Sequence, residues 1–277
     1  MALVNEPARV LSNDAVGPRL FLMRLSAPTI ARSILPGQFV HMLVPGMEGH
    51  ILRRPFSVYA RDAAAGELEL LYQTVGFGSG RMAELAPGRC EDAQLIGPVG
   101  RAWDPPAGTR RALLVGGGVG AAPVFMLAER LVEAGVPCEV VLGAQSAEAL
   151  VCRERFDALL AAQGRAARCA TDDGSFGRAG FCTSLSAELL AEGRAGASGA
   201  AADAEAVDYV AVCGPTPLMR IVADQAREAG AACQVSLERR MACGVGACLS
   251  CVVDTTGGKR RACVDGPIFD ATEVVWS

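Results

Sequence analysis

Four cysteines near the C-terminus, Cys243, Cys248, Cys251 and Cys263, follow the spacing Cys-x4-Cys-x2-Cys-x11-Cys. The first three lie in Met241-Ala-Cys-Gly-Val-Gly-Ala-Cys-Leu-Ser-Cys251, a stretch built mostly of small residues. A compact two-iron cluster takes three thiolates from one short loop, and that loop must wrap without driving side chains into the sulfides. The x4 and x2 intervals are those of the plant-type [2Fe–2S] loop. Gly244 and Gly246 supply backbone that reaches positive φ at little steric cost, and main-chain N–H groups there can donate to cluster sulfurs. A zinc site would show paired Cys-x2–4-Cys modules separated by a longer spacer. A disulfide framework belongs to small secreted domains. The spacing therefore predicts an electron-transfer protein with Cys243, Cys248, Cys251 and Cys263 as cluster ligands.

A cluster needs a donor and an acceptor, and two further groups of residues offer them. Arg53-Arg54-Pro55-Phe56-Ser57 sits among short strands, Gln38–Val44 and Leu68–Val75, and turn pairs Pro36-Gly37, Pro45-Gly46 and Pro87-Gly88. Many short strands at this spacing predict an antiparallel barrel, although Phe21–Leu25 alternates poorly. An arginine holds a pyrophosphate through paired hydrogen bonds, and a serine a few residues on reaches a flavin edge. The segment resembles the Arg-x-x-Ser flavin motif of the ferredoxin–NADP reductase superfamily. Downstream, Gly76-Phe-Gly78-Ser79-Gly80 precedes a short helix whose free N–H groups suit a phosphate; the plainer alternative is a helix N-cap at Ser79, and both can hold together. Leu95-Ile-Gly97-Pro98-Val99-Gly100 looks like the turn that closes the barrel in that superfamily.

After Pro105-Pro106 the texture changes to alternating strands and helices, which predicts a parallel sheet. The strand Arg111–Val115 runs into Gly116-Gly117-Gly118-Val-Gly120-Ala-Ala-Pro123 and then a helix that Gly135 ends. Strand, glycine turn and helix together form a phosphate cradle. The segment resembles the Gly-Gly-Gly-x-Gly-x-x-Pro of the same superfamily, where the nucleotide pyrophosphate lies over it. Strands Cys138–Leu142 and Arg165–Thr171 follow, the latter ending at Asp172-Asp173-Gly174. Adjacent carboxylates on a turn suit ribose hydroxyls better than acid–base work. The strand Val207–Val212 delivers Cys213-Gly214-Pro215 to its carboxyl end, the side on which open α/β sheets bind ligands. In the superfamily this segment lies near the nicotinamide. Thr216 is the expected N-cap of the next helix, with Pro217 at N1 and Gly230 at its end. The stretch Glu192–Ala206 is rich in Ala and Gly and reads as a surface insertion. After Leu142 neither an acidic anchor nor a tight basic cluster follows, though Arg153 and Arg155 are near, so the choice of NAD or NADP stays open.

Composition bounds what remains. The 277 residues are 51% hydrophobic, enough for two ordinary domains and a small appendage. A formal net charge of −4 argues against nucleic-acid or anionic-membrane surfaces. No apolar run of membrane-spanning length and no signal-like N-terminus is present, which predicts a cytoplasmic protein. Of eleven cysteines, seven (Cys90, Cys138, Cys152, Cys169, Cys182, Cys213 and Cys233) are scattered as buried free thiols would be. His41 and His50 are the only histidines, and each reads as structural or surface rather than as a base.

The order of sites, flavin barrel, nucleotide domain and C-terminal cluster loop, resembles the electron-transfer subunits of class 1B dihydroorotate dehydrogenases. Thr171-Asp-Asp-Gly-Ser-Phe-Gly177 and Ser236-Leu-Glu-Arg-Arg-Met-Ala-Cys-Gly-Val-Gly-Ala-Cys248 carry the resemblance most specifically. Related bifurcating and sulfide dehydrogenase subunits typically carry aspartate where Cys243 stands here. The resemblance implies a multidomain chain: an FAD-binding β-barrel at 1–105, an NAD-binding α/β domain at 106–235 and a [2Fe–2S] domain at 236–277. It implies FAD contacts from Arg54, Pro55, Phe56, Ser57, Leu71, Tyr72, Gln73, Gly78 and Ser79. Gln73 replaces a common arginine and Ser79 a usual threonine. It implies NAD contacts from Gly116, Gly117, Gly118, Gly120, Pro123, Asp172, Cys213, Gly214 and Pro215, and no catalytic acid, base or nucleophile. It further implies a partner, an FMN-containing dihydroorotate dehydrogenase catalytic subunit, in a heterotetramer serving pyrimidine biosynthesis. Electrons would pass from the partner FMN through the cluster and FAD to NAD+, because a flavin is needed between a one-electron cluster and a two-electron hydride. The rival readings are an NAD(P)H:acceptor reductase subunit of the sulfide dehydrogenase or ferredoxin:NADP oxidoreductase type, and a non-catalytic redox carrier, which would need no nicotinamide site.

Overall fold

The structure, a computed structural model, describes residues 3–47, 49–88, 92–195 and 206–276. The chain divides into two compact units, Met1–Trp103 with Leu237–Ile268, and Asp104–Ser236 with Phe269–Ser277.

The first unit begins with strands β1 (Val4–Gly17) and β2 (Leu20–Ser26), helix α1 (Pro28–Ser33) and strand β3 (Phe39–Leu43). Strands β4 (Arg54–Ser57), β5 (Ala60–Asp62) and β6 (Glu67–Gln73), helix α2 (Phe77–Ala83) and strand β7 (Ala93–Val99) follow. The strands pair antiparallel throughout, in the order β4-β3-β7-β1-β2-β6-β5. Among the described residues the ladder stays open at β4 and β5, but Phe56 of β4 packs edge-on against Tyr72 of β6 with ring centroids 5.8 Å apart. In β1 the alternation of Glu6, Ala8 and Val10 inward with exposed neighbours sets one face to the core. The buried Glu6 carboxylate accepts from the N–H groups of Thr29 (3.1 Å) and Ile30 (2.7 Å), capping α1, whose own N-cap residue Ala27 has no side chain for the task.

The second unit runs β8 (Ala112–Gly117), α3 (Ala122–Glu133), β9 (Cys138–Ala144), α4 (Arg153–Leu160), β10 (Arg168–Thr171) and β11 (Arg178–Ala179). It continues with α5 (Thr183–Ala195), β12 (Tyr209–Cys213), α6 (Thr216–Ala229) and β13 (Ala232–Ser236). The parallel order is β11-β10-β9-β8-β12-β13. Strands buried on both faces, such as the wholly buried Tyr209–Cys213, are what a helix-covered parallel sheet requires. The buried Glu139 carboxylate of β9 holds Arg111 at 2.9 Å and Arg165 at 3.0 Å, tying together the segments that enter β8 and β10.

The C-terminal segment contributes the hairpin β14 (Val252–Thr255) and β15 (Gly258–Arg261), and β16 (Ile268–Asp270), which joins the parallel sheet beside β13.

Several local expectations change. Phe21–Leu25 is regular strand in β2, paired on both sides. Leu95–Val99 is strand β7 rather than a turn, with a cis Gly97–Pro98 peptide inside it. The helix α2 starts from Gly76, not Ser79; Ser79 sits in the first turn and its Oγ accepts from the N–H groups of Val75 (2.9 Å) and Gly76 (3.2 Å). The N-cap of α6 is Pro215, which places Thr216 inside the helix, while Gly230 ends it in the left-handed conformation as expected. Of the scattered cysteines Cys152 is only half-buried, and Cys90 lies outside the described residues; the other five are buried. Most of the Glu192–Ala206 stretch also lies outside them, while α5 extends to Ala195.

Candidate functional site

The cluster loop wraps through three left-handed residues, Gly244 (φ 67°), Gly246 (φ 81°) and Leu249 (φ 58°). Its sulfurs fall into two pairs. The Cys243 Sγ accepts from the N–H groups of Val245 and Cys248, both at 3.4 Å. Burial would raise its pKa, but these donors and the Cys248 side chain bring it down to about 6, so the thiolate that iron requires is favoured beforehand. The Cys251 and Cys263 sulfurs lie 3.3 Å apart and buried. Burial, together with the neighbouring Cys251, pushes the Cys263 thiol up to about 12, because two anions at that separation repel. Among the described residues no three ligating side chains converge on a single point. A two-iron rhomb asks for something else, two thiolates on each iron, and a pair at the loop plus a pair shared with Cys263 fits that requirement. Cys248 and Leu249 are exposed and Cys251 and Cys263 are buried, so one end of the site opens outward.

In the same unit β4 and α2 bring the flavin-motif residues together. The Arg54 guanidinium lies against Gly78, filling the space a side chain there would need, and donates to the Leu52 carbonyl. It thus stands beside the first turn of α2, whose N–H groups at Phe77, Gly78 and Ser79 have no intrahelical partner. The Ser79 hydroxyl is committed to holding that turn. Pro55, Phe56 and Ser57 are half-buried, and the Ser57 hydroxyl makes no hydrogen bond among the described residues. Leu71 and Tyr72 are buried, the Tyr72 hydroxyl donates to Asn13 at 2.9 Å, and burial pushes its pKa to about 12. Only Gln73 of the three exposes its side chain. The pairing of β5 with β6 stops at Glu69, so Leu71–Gln73 present an unladdered main-chain edge to β4 instead.

In the second unit the two glycine motifs abut. Gly116 lies opposite Cys213 in the β8–β12 register, and the 3-10 turn Gly118–Ala121 leads into α3, with Pro123 in its first turn. A methyl group at Gly120 would lie 2.5 Å from the Cys213 carbonyl oxygen, and one at Gly117 would lie 2.5 Å from Leu218. Gly214 packs reciprocally on Gly117. These are the carboxyl ends of β8 and β12, and β8 is where the strand order turns outward to both sides, the crevice position for a nucleotide. The two adjacent carboxylates have separate roles. Asp173 accepts from the Ser175 hydroxyl (2.6 Å) and N–H (3.0 Å), which depresses its pKa and locks the turn. Asp172 is exposed and its carboxylate makes no hydrogen bond among the described residues. Arg153 pairs with Glu154 at 2.8 Å and covers the Phe176 ring, and Arg155 lies over Phe125.

Sequence reasoning took His41 for a structural or surface residue and did not link it to the cluster loop. It lies in β3 opposite Pro55, is fully buried, and a methyl group at Gly244 would lie 2.5 Å from its Nδ1. Burial, then the charges of Arg53 and Arg54, lower its pKa to about 4, so the ring is neutral. The available signal was the pairing of a lone histidine in a buried strand with a glycine fixed between two cysteines, which no linear motif joins.

Comparison with known proteins follows this division. Residues 238–275 match the iron–sulfur cluster binding domain of dihydroorotate dehydrogenase B, and residues 114–224 match the oxidoreductase NAD-binding domain. The chain is 34% identical over 275 residues to the dihydroorotate dehydrogenase B (NAD(+)) electron transfer subunit of Desulforamulus reducens, covering 97% of each. It is 36% identical over 276 residues to that of Bacillus caldolyticus, covering 98% of each. Among solved structures, an NADH-dependent reduced ferredoxin-NADP oxidoreductase studied for flavin-based electron bifurcation superposes with a TM-score of 0.81 at 27% identity, over 98% of this chain and 90% of that one. The ferredoxin reductase of carbazole 1,9a-dioxygenase shares the fold, with a TM-score of 0.64 at 21% identity over 83% of this chain and 67% of that one.

Proposed function

The chain belongs to the family of dihydroorotate dehydrogenase B (NAD(+)) electron transfer subunits, and on that premise we propose how its residues divide the work. It is an oxidoreductase subunit whose cofactors are FAD, a [2Fe–2S] cluster and NAD. Bound here, FAD would supply two-electron exchange with a nicotinamide and the cluster one-electron exchange with a partner.

The observation that carries the reading is the pairing of the four sulfurs in the same compact unit as the Arg54–α2 cradle. Arg54 and the first-turn N–H groups of Gly78 and Ser79 bind the FAD pyrophosphate. Ser57 and the main-chain edge of Leu71, Tyr72 and Gln73 hold the isoalloxazine, with Pro55 and Phe56 shaping the strand that presents it. Cys243 and Cys248 would hold one iron of the cluster, Cys251 and Cys263 the other. In the second unit Gly116, Gly117, Gly118, Gly120 and Pro123 seat the NAD pyrophosphate, Asp172 accepts from a ribose hydroxyl, and Cys213, Gly214 and Pro215 border the nicotinamide. Functionally the chain divides into an FAD domain at 1–105, an NAD domain at 106–235 and a cluster domain at 236–277. No side chain serves as acid, base or nucleophile.

The partner is the catalytic subunit of a dihydroorotate dehydrogenase, carrying FMN, in a heterotetramer with two copies of each subunit. In that assembly the cluster would receive electrons from dihydroorotate and NAD+ would take them up, as part of cytoplasmic pyrimidine biosynthesis. The exposed Cys248, Leu249 and Val245 support an entry port on this loop. Among the described residues no helix is long and apolar enough to cross a membrane.

Anaerobic titration with NADH tests the assignment. FAD should bleach and the electron paramagnetic signal of a reduced [2Fe–2S] cluster should appear. In Cys243→Ser the bleaching should persist while iron and signal are lost. A protein that holds both cofactors and is reduced by neither NADH nor its partner would count against the relay, as would loss of FAD together with the cluster in that variant.

A further inference from the structure

His41 is the one fully buried histidine, and among the described residues neither ring nitrogen has a hydrogen-bond partner. A buried polar group left without a partner is costly, so such groups in folded proteins nearly always have one. Its surroundings say where a partner belongs. The ring stands on the face of β3 that also carries Phe39, the residues opposite Pro55 and Ser57 of β4. The C-terminal segment docks on that face. Side-chain atoms added at Gly100 would strike Pro267 and Phe39, Leu237 N–H donates to the Pro267 carbonyl at 2.8 Å, and Gly244 meets the His41 ring. Gly244 is buried, left-handed and next to Cys243, and the imidazole occupies the space its missing Cβ leaves. The loop is therefore shaped around the histidine, which lies between the strand of the flavin motif and the sulfurs.

We propose that His41 is a positioning residue of the cluster: its ring N–H, directed at the loop around Gly244, donates to a cluster sulfur at the Cys243 end and raises the cluster's reduction potential. An imidazole carries at least one ring N–H donor whether neutral or protonated. A sulfur is the acceptor that loading with iron and sulfide brings to the loop against which the ring packs. Hydrogen bonds to sulfur stabilise the more negative, reduced state and so set the potential. The inference rests on the cluster assignment above.

The protein labelled with 15N only in histidine, reduced anaerobically, separates the two. A rhombic signal from a reduced [2Fe–2S] cluster tests the assignment itself. Pulsed electron paramagnetic resonance on that signal should then show a 15N coupling, retained in His50→Gln, which leaves His41 as the only source. A fully formed cluster without 15N coupling overturns the proposal, whatever any variant does. In a redox titration His41→Leu should lower the cluster's midpoint potential, and His41→Gln, which keeps an N–H donor, should recover part of the loss. An unchanged potential in His41→Leu with full iron and sulfide content contradicts it equally.

Discussion

A cysteine is a ligand only as a thiolate, and the two sulfur pairs approach that state differently. Two main-chain donors favour the Cys243 thiolate, whereas burial opposes ionisation of Cys263 until a cation neutralises it. His41 adds a pH dependence of its own. Its folded pKa of about 4 lies below the ordinary 6.5, so the unfolded chain binds a proton in that interval and the folded chain does not. Stability of the first unit therefore falls as pH drops from about 6.5 toward 4, and is insensitive to this group above that window. Urea midpoints at about pH 7 and about pH 5.5 should differ more for the wild type than for His41→Gln. Equal differences would mean the ring is not held neutral.

Elements turn these residues into sites by bringing strand ends together. Gly120 begins no hydrogen bond that another residue could not make; what it provides is room, because the carbonyl of Cys213 occupies the space a Cβ would fill. Gly120→Ala should force apart the ends of β8 and β12 and weaken NAD binding at least tenfold, measured by calorimetry, with FAD content unchanged. Unaltered NAD affinity would remove the pyrophosphate from this turn. The strand–glycine–helix succession around Gly116–Pro123 was readable in sequence because it is local. The helix caps were not: Glu6 caps α1 from 23 residues away, and Ser79 holds α2 from inside its first turn, choices made by packing rather than by propensity. For the same reason Leu95–Val99, with its Gly-Pro pair, read as a turn although its neighbours β1 and β3 hold it in the sheet.

At the scale of the whole molecule, the order of motifs in the chain announced the function, and the compact units show what the order hides. The cluster segment folds into one unit with the antiparallel sheet, so the cysteines at 243–263 and the flavin motif at 54–57, almost two hundred positions apart in sequence, share a framework. Their meeting point at His41 and Gly244 was illegible because it joins a residue with no motif to a glycine whose role looked purely conformational. The account makes this framework an electron path that opens at the cluster loop. Its most direct test mixes the protein, loaded with FAD and cluster, with an FMN-containing dihydroorotate dehydrogenase catalytic subunit, dihydroorotate and NAD+ without oxygen, and follows NADH formation by absorbance. NADH should form with both subunits present, and not when Cys243→Ser replaces the wild type. A loaded complex in which dihydroorotate reduces neither the cluster nor FAD would contradict the account.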